Sequence, residues 1–198
     1  MPAPSAPLTV YFWPDSVDNI TVNQSVIVIA VRTLPETLRS QARDLIRTAI
    51  TDVLAKKLNC ACAEIKLISQ LGKPLKLAHP RHSIGLSISH ETGLSLAAIN
   101  MNGMVGVDLI DINNIPNNNE IFRLASEYLG TEVAEDISLL PSTHQKHAFA
   151  KAWTEFEANL KCQEKSLSEW APSRILQLKP ATTQSFDIPE NYIGTLVF

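Results

Sequence analysis

Alternation is clearest along residues 82–99, HSIGLSISHETGLSLAAI. Ile84, Leu86 and Ile88 fall on one side of an extended chain, with Gly85, Ser87 and Ser89 on the other. The alternation resumes after Gly93 with Leu94, Leu96 and Ala98. This pattern predicts a hairpin with one buried face. Apolar runs predict further strands over 8–12 (LTVYF), 25–31 (SVIVIAV), 63–69 (AEIKLIS), 104–112 (MVGVDLIDI) and 192–198 (YIGTLVF). A period of 3.6 appears instead in Leu38, Ala42, Leu45, Ile46, Ala49, Ile50, Val53 and Leu54, predicting a helix opened by Pro35 and Glu36 and running to Leu58. A second long helix is predicted over 143–162, with Phe149, Ala152, Trp153, Phe156 and Leu160 on its apolar face. Between them, IFRLASEYLG and EVAEDISLL read as shorter helices, the first capped by Asn119 of NNIPNNNE. The tail carries Pro172, Pro180 and Pro189 before its closing strand. Strands and helices mix without a regular βαβ alternation, so the fold class is α+β.

Composition narrows the field. The 198 residues suffice for one domain or two small halves sharing a core, and 45% hydrophobic with 19% charged residues is ordinary for a globular protein. A net charge of −3 gives no global reason to expect nucleic acid or an anionic membrane as partner, so phosphate binding must come from a local cluster. The N-terminal MPAPSAPLTVYFWPD lacks the basic start of a signal peptide, and VIVIAV is too short to span a bilayer. Cys60, Cys62 and Cys162 match no zinc spacing; they read as reduced packing thiols in a cytoplasmic protein.

Against this background four polar features stand out. Arg39, Arg43 and Arg47 recur every four residues and form a row of guanidinium groups, read either as a solvated helix face or as an anion site. Ser89, His90 and Glu91 end the polar face of a strand, where a solvated turn is the plainer reading. Asp108 is a carboxylate within an otherwise apolar strand, which is costly unless it is paired or bound to a metal. Glu157 and Lys161 lie one helical turn apart beside the apolar stripe of the second long helix.

Order and spacing join these features. LGKP at 71–74, SISH at 87–90, VGVD at 105–108 and W-x-x-x-E-x-x-x-K at 153–161 resemble the ordered motifs of the 4′-phosphopantetheinyl transferases, over roughly residues 36–165. The chain looks more like the longer, monomeric, surfactin-synthetase-activating type than the short trimeric holo-acyl-carrier-protein synthases. The resemblance implies a pseudo-twofold pair of α+β halves, here 1–100 and 101–198, with coenzyme A and Mg2+ in the cleft between them. It implies transfer of phosphopantetheine from coenzyme A to a serine of an apo acyl or peptidyl carrier protein, with release of 3′,5′-ADP.

Roles follow residue by residue from that likeness. Asp108 and Glu157 match the metal-binding acids, and Glu157 also suits the base that takes the serine proton. Lys161 fits a phosphate contact, Ser89 and His90 the Ser-His of the coenzyme's phosphate region, and Lys73 its adenine side. Arg43 and Arg47 suit the 3′-phosphate, because guanidinium forks match phosphate oxygens. Lys146, His147 and Lys151 could offer a basic face to an acidic carrier protein. Trp153 is expected to anchor its helix by packing.

Two positions depart from the family pattern. Phe156 stands where a Lys usually precedes the helical Glu, and Ile110 stands where a third acid often follows the strand Asp, with Asp111 turned to the opposite face. Glu91 is the expected substitute for that missing ligand, directly or through water; a turn carboxylate is the alternative. The departures also leave open a degenerate paralogue that binds without turnover, or an interaction module in which Asp108 and Glu157 are paired structural charges.

Overall fold

The computed structural model describes residues 8–70, 73–78, 83–171, 181–188 and 191–198. Leu71 and Gly72 of the LGKP motif, His82 and the tail prolines Pro172, Pro180 and Pro189 lie outside the described residues. The strands are β1 (Val10–Phe12), β2 (Val26–Arg32), β3 (Leu67–Ile68), β4 (Lys76–Leu77), β5 (Gly85–Glu91), β6 (Leu94–Asn100), β7 (Gly106–Asp111), β8 (Thr183–Ile188) and β9 (Tyr192–Val197). The helices are α1 (Arg39–Leu58), α2 (Asn118–Leu124), α3 (Thr131–Ser138) and α4 (Ser142–Cys162), with a π turn at Ala125–Leu129. The mixed α+β class read from the pattern holds.

Two sheets organise the chain. The first has the order β1-β2-β6-β5, the second β7-β9-β8, and β3 with β4 forms a small separate ribbon. β6 runs antiparallel to both β2 and β5, and β9 antiparallel to both β7 and β8. The same order of elements therefore occurs twice: a strand, a long helix, then a hairpin whose second strand pairs with the leading strand. β2, α1, β5 and β6 make one instance, and β7, α4, β8 and β9 the other.

Side-chain alternation explains how the layers stack. Ile27, Ile29 and Val31 of β2, with Ala97 and Ile99 of β6, pack against Ile46, Ile50 and Leu54 of α1. The intervening residues Val28, Ala30, Leu94, Leu96 and Ala98 turn the other way and meet Val107 and Leu109 of β7 and Leu196 of β9. Every residue of β6 is buried. The expected hairpin with one buried face is thus corrected: its inner strand is covered on both sides, by α1 and by the second sheet. That two-sided burial is why LSLAAI reads as a nearly continuous apolar run.

α4 closes the far side, against β7 and β9, through Ala158, Cys162 and Val197. Gly106 makes this crossing possible, because a Cβ there would stand 1.9 Å from Ala158 O. Several local expectations shift. α1 begins at Arg39 rather than at Pro35, after Gln41 Oε1 accepts from Leu38 N at 3.1 Å, and Leu38 and Leu45 are exposed rather than part of the buried stripe. α2 is capped by Asn117, whose side chain accepts from Glu120 N, and not by Asn119. Residues 63–69 supply only the short β3, preceded by a 3-10 turn at Cys62–Glu64. The three cysteines are free, as expected, but Cys62 is exposed and so is not a packing residue.

Candidate active site

The site lies where the edge strand of one sheet meets the edge strand of the other. β5 and β7 are adjacent but share no ladder, and side chains fill the seam between them. Val107 N donates to Ser87 Oγ at 3.0 Å, and Val107 O accepts from Lys161 Nζ at 3.2 Å. A serine hydroxyl and a lysine ammonium thus satisfy backbone groups on the open edge of β7. This accounts for the polar face of SISH: Ser87 and Ser89 point into the seam rather than to solvent, and both are buried.

One residue further along, the seam becomes charged. Asp108 Oδ1 accepts from Ser89 Oγ at 2.8 Å and from Lys161 Nζ at 2.6 Å, while Lys161 Nζ also approaches Ser89 Oγ at 3.2 Å. Asp108 is only 5% exposed, so the pairing supplies the counter-charge that a buried carboxylate requires. β7 places Asp108 on the α4 side, and α4 places Lys161 one turn beyond Glu157, so the spacing read from the sequence brings the three to one wall.

That wall belongs to a cavity of about 790 Å³, lined also by Arg39, Arg43, Arg47, Lys73, Ser89, His90 and Glu91. All the site residues picked out from the sequence therefore line one space. Arg39 joins them, although only Arg43 and Arg47 were assigned to phosphate. The row of guanidinium groups borders the cavity, with Arg39 and Arg43 exposed and Arg47 half-buried, so the face is both solvated and turned to that space. Ser89, His90 and Glu91 are likewise part of the wall and not a free turn. The cavity is walled by α1 and β5 of the first instance of the repeat and by β7 and α4 of the second.

The electrostatics fall into two regions. On the arginine side, His90 titrates at about 4 instead of 6.5, first because it is buried and then because Arg39, Arg43, Lys161 and Arg47 oppose a further positive charge. Its Nδ1 is 2.7 Å from Ser95 Oγ, which fixes the ring. The imidazole is neutral near pH 7 and offers a hydrogen bond without a charge. On the acid side, burial pushes the Glu157 carboxyl up and the charge of Asp108 pushes it further, while Lys161 and a hydrogen bond from Trp153 pull it back. Glu91 is also raised, by burial and then by Asp108 and Asp111, with bonds from Thr92 and Asn114 acting in the opposite sense.

Trp153 sits in an aromatic group with Phe149 at 5.5 Å, Tyr128 at 5.7 Å and Phe156 at 6.3 Å. The W-x-x-x-E spacing also puts its indole on the helix face of Glu157, where it is the smallest of the influences on that carboxyl. Phe156 joins the aromatic group, whereas Ile110 packs beside the residues of α2 to α4 and also borders the cavity, leaving an apolar side chain where a third acid was looked for. Ser87, which accepts from the β7 edge, was marked by the SISH motif without a role, and Asn114, which lowers the Glu91 carboxyl, had no sequence signal of its own.

Lys146 of the expected docking face has a partner within the fold. Its ammonium donates to Ile115 O at 2.9 Å and ties α4 to the segment after β7, whereas Lys151 is exposed. Among the described residues, no three His, Cys, Asp or Glu side chains stand together as a ready-made metal cluster. Asp108 repels both Glu157 and Glu91, a charge pattern that a hydrated divalent cation on one or two oxygens would relieve. No helix of the described residues is long and apolar enough to cross a membrane.

The chain is similar to a Synechocystis sp. protein described as a "putative 4′-phosphopantetheinyl transferase", with 25% identity over 123 residues. That match covers 62% of this chain and 49% of the relative, so the chain spans about half the length of the curated relative it matches. No protein-family model matches the chain.

Proposed function

We propose that this protein moves the 4′-phosphopantetheine arm of coenzyme A onto a serine of an apo acyl or peptidyl carrier protein, releasing 3′,5′-ADP. The observation that carries the reading is the convergence of arginines, Ser-His and acid–lysine groups, contributed by two topologically equivalent halves, on one cavity. The relative's description supports the same reaction class. The repeated order of elements supports the pseudo-twofold arrangement of halves 1–100 and 101–198. The working form is a monomer of the surfactin-synthetase-activating type in the cytoplasm.

In this reading Arg43 and Arg47, joined by Arg39, take the 3′-phosphate, and Lys73 lies toward the adenine side. Neutral His90 hydrogen-bonds the phosphate region, and Ser89 borders it with its one hydroxyl proton given to Asp108. The carrier serine oxygen attacks the phosphorus bearing the pantetheine arm, and its proton passes to Glu157. The bond from that phosphorus to the bridging oxygen of 3′,5′-ADP breaks, and Lys161 offsets charge on the departing phosphate. A raised carboxyl makes Glu157 a stronger base than an exposed one. Asp108, Glu157 and Glu91 would hold Mg2+, which when bound neutralises pyrophosphate charge. Replacing Glu91 with Ala is expected to raise the Mg2+ concentration needed for half-maximal activity, and an unchanged Mg2+ titration would remove Glu91 from the set.

The decisive experiment incubates the protein with coenzyme A, Mg2+ and an apo carrier protein and weighs the carrier. A gain of one phosphopantetheine group is the expected result. Phe156 and Ile110 favour one second reading, a paralogue that binds coenzyme A or carrier protein without turnover; binding without mass gain is its signature. No binding to either refutes both.

A further inference from the structure

The Lys161–Asp108 ion pair in the cavity joins two groups that the proposed reaction needs for different purposes. Lys161 Nζ has three acceptors: Asp108 Oδ1 at 2.6 Å, Ser89 Oγ at 3.2 Å and Val107 O at 3.2 Å. An ammonium carries three N–H donors and no more. As arranged, Lys161 has no donor left for a phosphate. Asp108 Oδ1 in turn already receives Ser89 and Lys161.

We infer that Lys161 is the resident counter-ion of Asp108, holding the carboxylate while no divalent cation is bound and leaving it when one arrives. The inference rests on reading Asp108 as a metal ligand. A cation of the Mg2+ kind sits about 2.1 Å from its oxygens, which brings two positive centres onto one carboxylate if the ammonium stays. The lysine is the mobile member. Asp108 is fixed on a buried strand, whereas the Lys161 side chain is 31% exposed and ends a flexible four-carbon stem. Ser89 is then a positioning residue, since its hydroxyl stays on Asp108 and orients the carboxylate during the exchange.

Two consequences follow. Lys161 lowers the affinity for a free cation, because the cation must displace a partner already in place. An anion at the cavity raises that affinity, because it gives the displaced ammonium a new partner. Cation and phosphate therefore bind better together than apart, and by linkage each strengthens the other equally. The device keeps Asp108 paired at every stage, so the buried charge is never left alone.

The test uses two readouts that do not depend on turnover. In the unaltered protein, the rate at which sulfo-N-hydroxysuccinimide acetate modifies Lys161 is followed by mass spectrometry with and without Mg2+. Saturating Mg2+ is expected to raise that rate by about fivefold or more, the lower range of ordinary coupling between sites. In Asp108→Asn, Mg2+ is expected to leave the rate unchanged. A rate in the unaltered protein that stays constant or falls with Mg2+ overturns the inference. In the second measurement, Mn2+ alone is titrated and the free ion followed by electron paramagnetic resonance. Lys161→Met is expected to bind about tenfold more tightly than the parent, and Asp108→Asn to lose binding. Equal affinity in parent and Lys161→Met overturns the counter-ion role but leaves Asp108 as a ligand. No binding in either overturns the metal reading and the inference with it. The labelling arm stands even where Lys161→Met fails to fold.

Discussion

Replacing Gly106 with Ala should damage fold and site together through a single methyl group. The added carbon would lie 1.9 Å from Ala158 O, 2.5 Å from Cys162 N and 2.9 Å from the Ala158 carbonyl carbon, all of them backbone atoms of α4. Unbonded carbon contacts settle at about 3.5–4.0 Å, so the helix must retreat from β7 by ~1.5 Å at that turn. No side chain can rotate aside to absorb the clash. Overpacking of this kind costs typically about 1–3 kcal/mol, and the backbone origin of the clash places this variant at or above the upper end. The same retreat draws Glu157 and Lys161 away from Asp108, and a misplacement of about 1 Å can lower catalysis by roughly a hundredfold. Urea unfolding measures the first effect and phosphopantetheine transfer at a temperature where the variant remains folded measures the second. A variant with the parent's unfolding midpoint would refute the close approach of α4 to β7. A destabilised variant with parental transfer would show that the site does not depend on that contact.

Other outcomes follow from the charges. His90 should titrate at about 4 by NMR. Because its folded value lies below 6.5, the unfolded chain takes up the proton first, so stability should fall as pH drops from about 6.5 toward 4 and level off below. His90→Gln should flatten that slope in acid unfolding curves, and an unchanged slope would reject the assignment. Glu157→Gln should lower transfer by at least about a hundredfold, the scale of a lost general base. It should also raise the thermal midpoint near pH 7, because burial and Asp108 disfavour the native charge; near-parental turnover would sink the role. Lys151→Glu should raise the apparent KM for carrier protein and spare that for coenzyme A. Lys146→Glu should instead lower thermal stability, since its ammonium anchors the Ile115 carbonyl, and parental stability in that variant would contradict the anchoring.

Much of this site was legible because its chemistry is local. The i, i+4 spacing of Glu157 and Lys161 and the four-residue recurrence of the arginines each specify one face of a helix without knowledge of the fold. The strand position of Asp108 likewise specified its side of β7. What escaped the sequence depends on partners distant along the chain. The serines of β5 looked like a solvated face because nothing local announces that β7 runs alongside. Leu38 and Leu45 fit the apolar period of α1 yet stay exposed, since the sheet beneath covers a narrower stripe. β8, with the sequence TQSFDI, has too little apolar alternation to read as a strand and owes its place to pairing with β9. Lys146 looked like a free surface charge until the loop after β7 was seen to need a donor.

The two-sided burial of β2 and β6 has a consequence for dissecting the chain. Val28, Ala30, Leu94, Leu96 and Ala98 are covered by the second sheet, so a fragment ending near residue 100 would carry a sticky apolar plate in place of a surface. Such a fragment is expected to aggregate when made alone. Co-expressed with the remainder, it is expected to be rescued by it, since the sheet that covers the plate also carries Asp108. Cleaved in the loop between β6 and β7, the molecule becomes a natural split reporter, in which reassembly of the halves and recovery of the cavity are a single event.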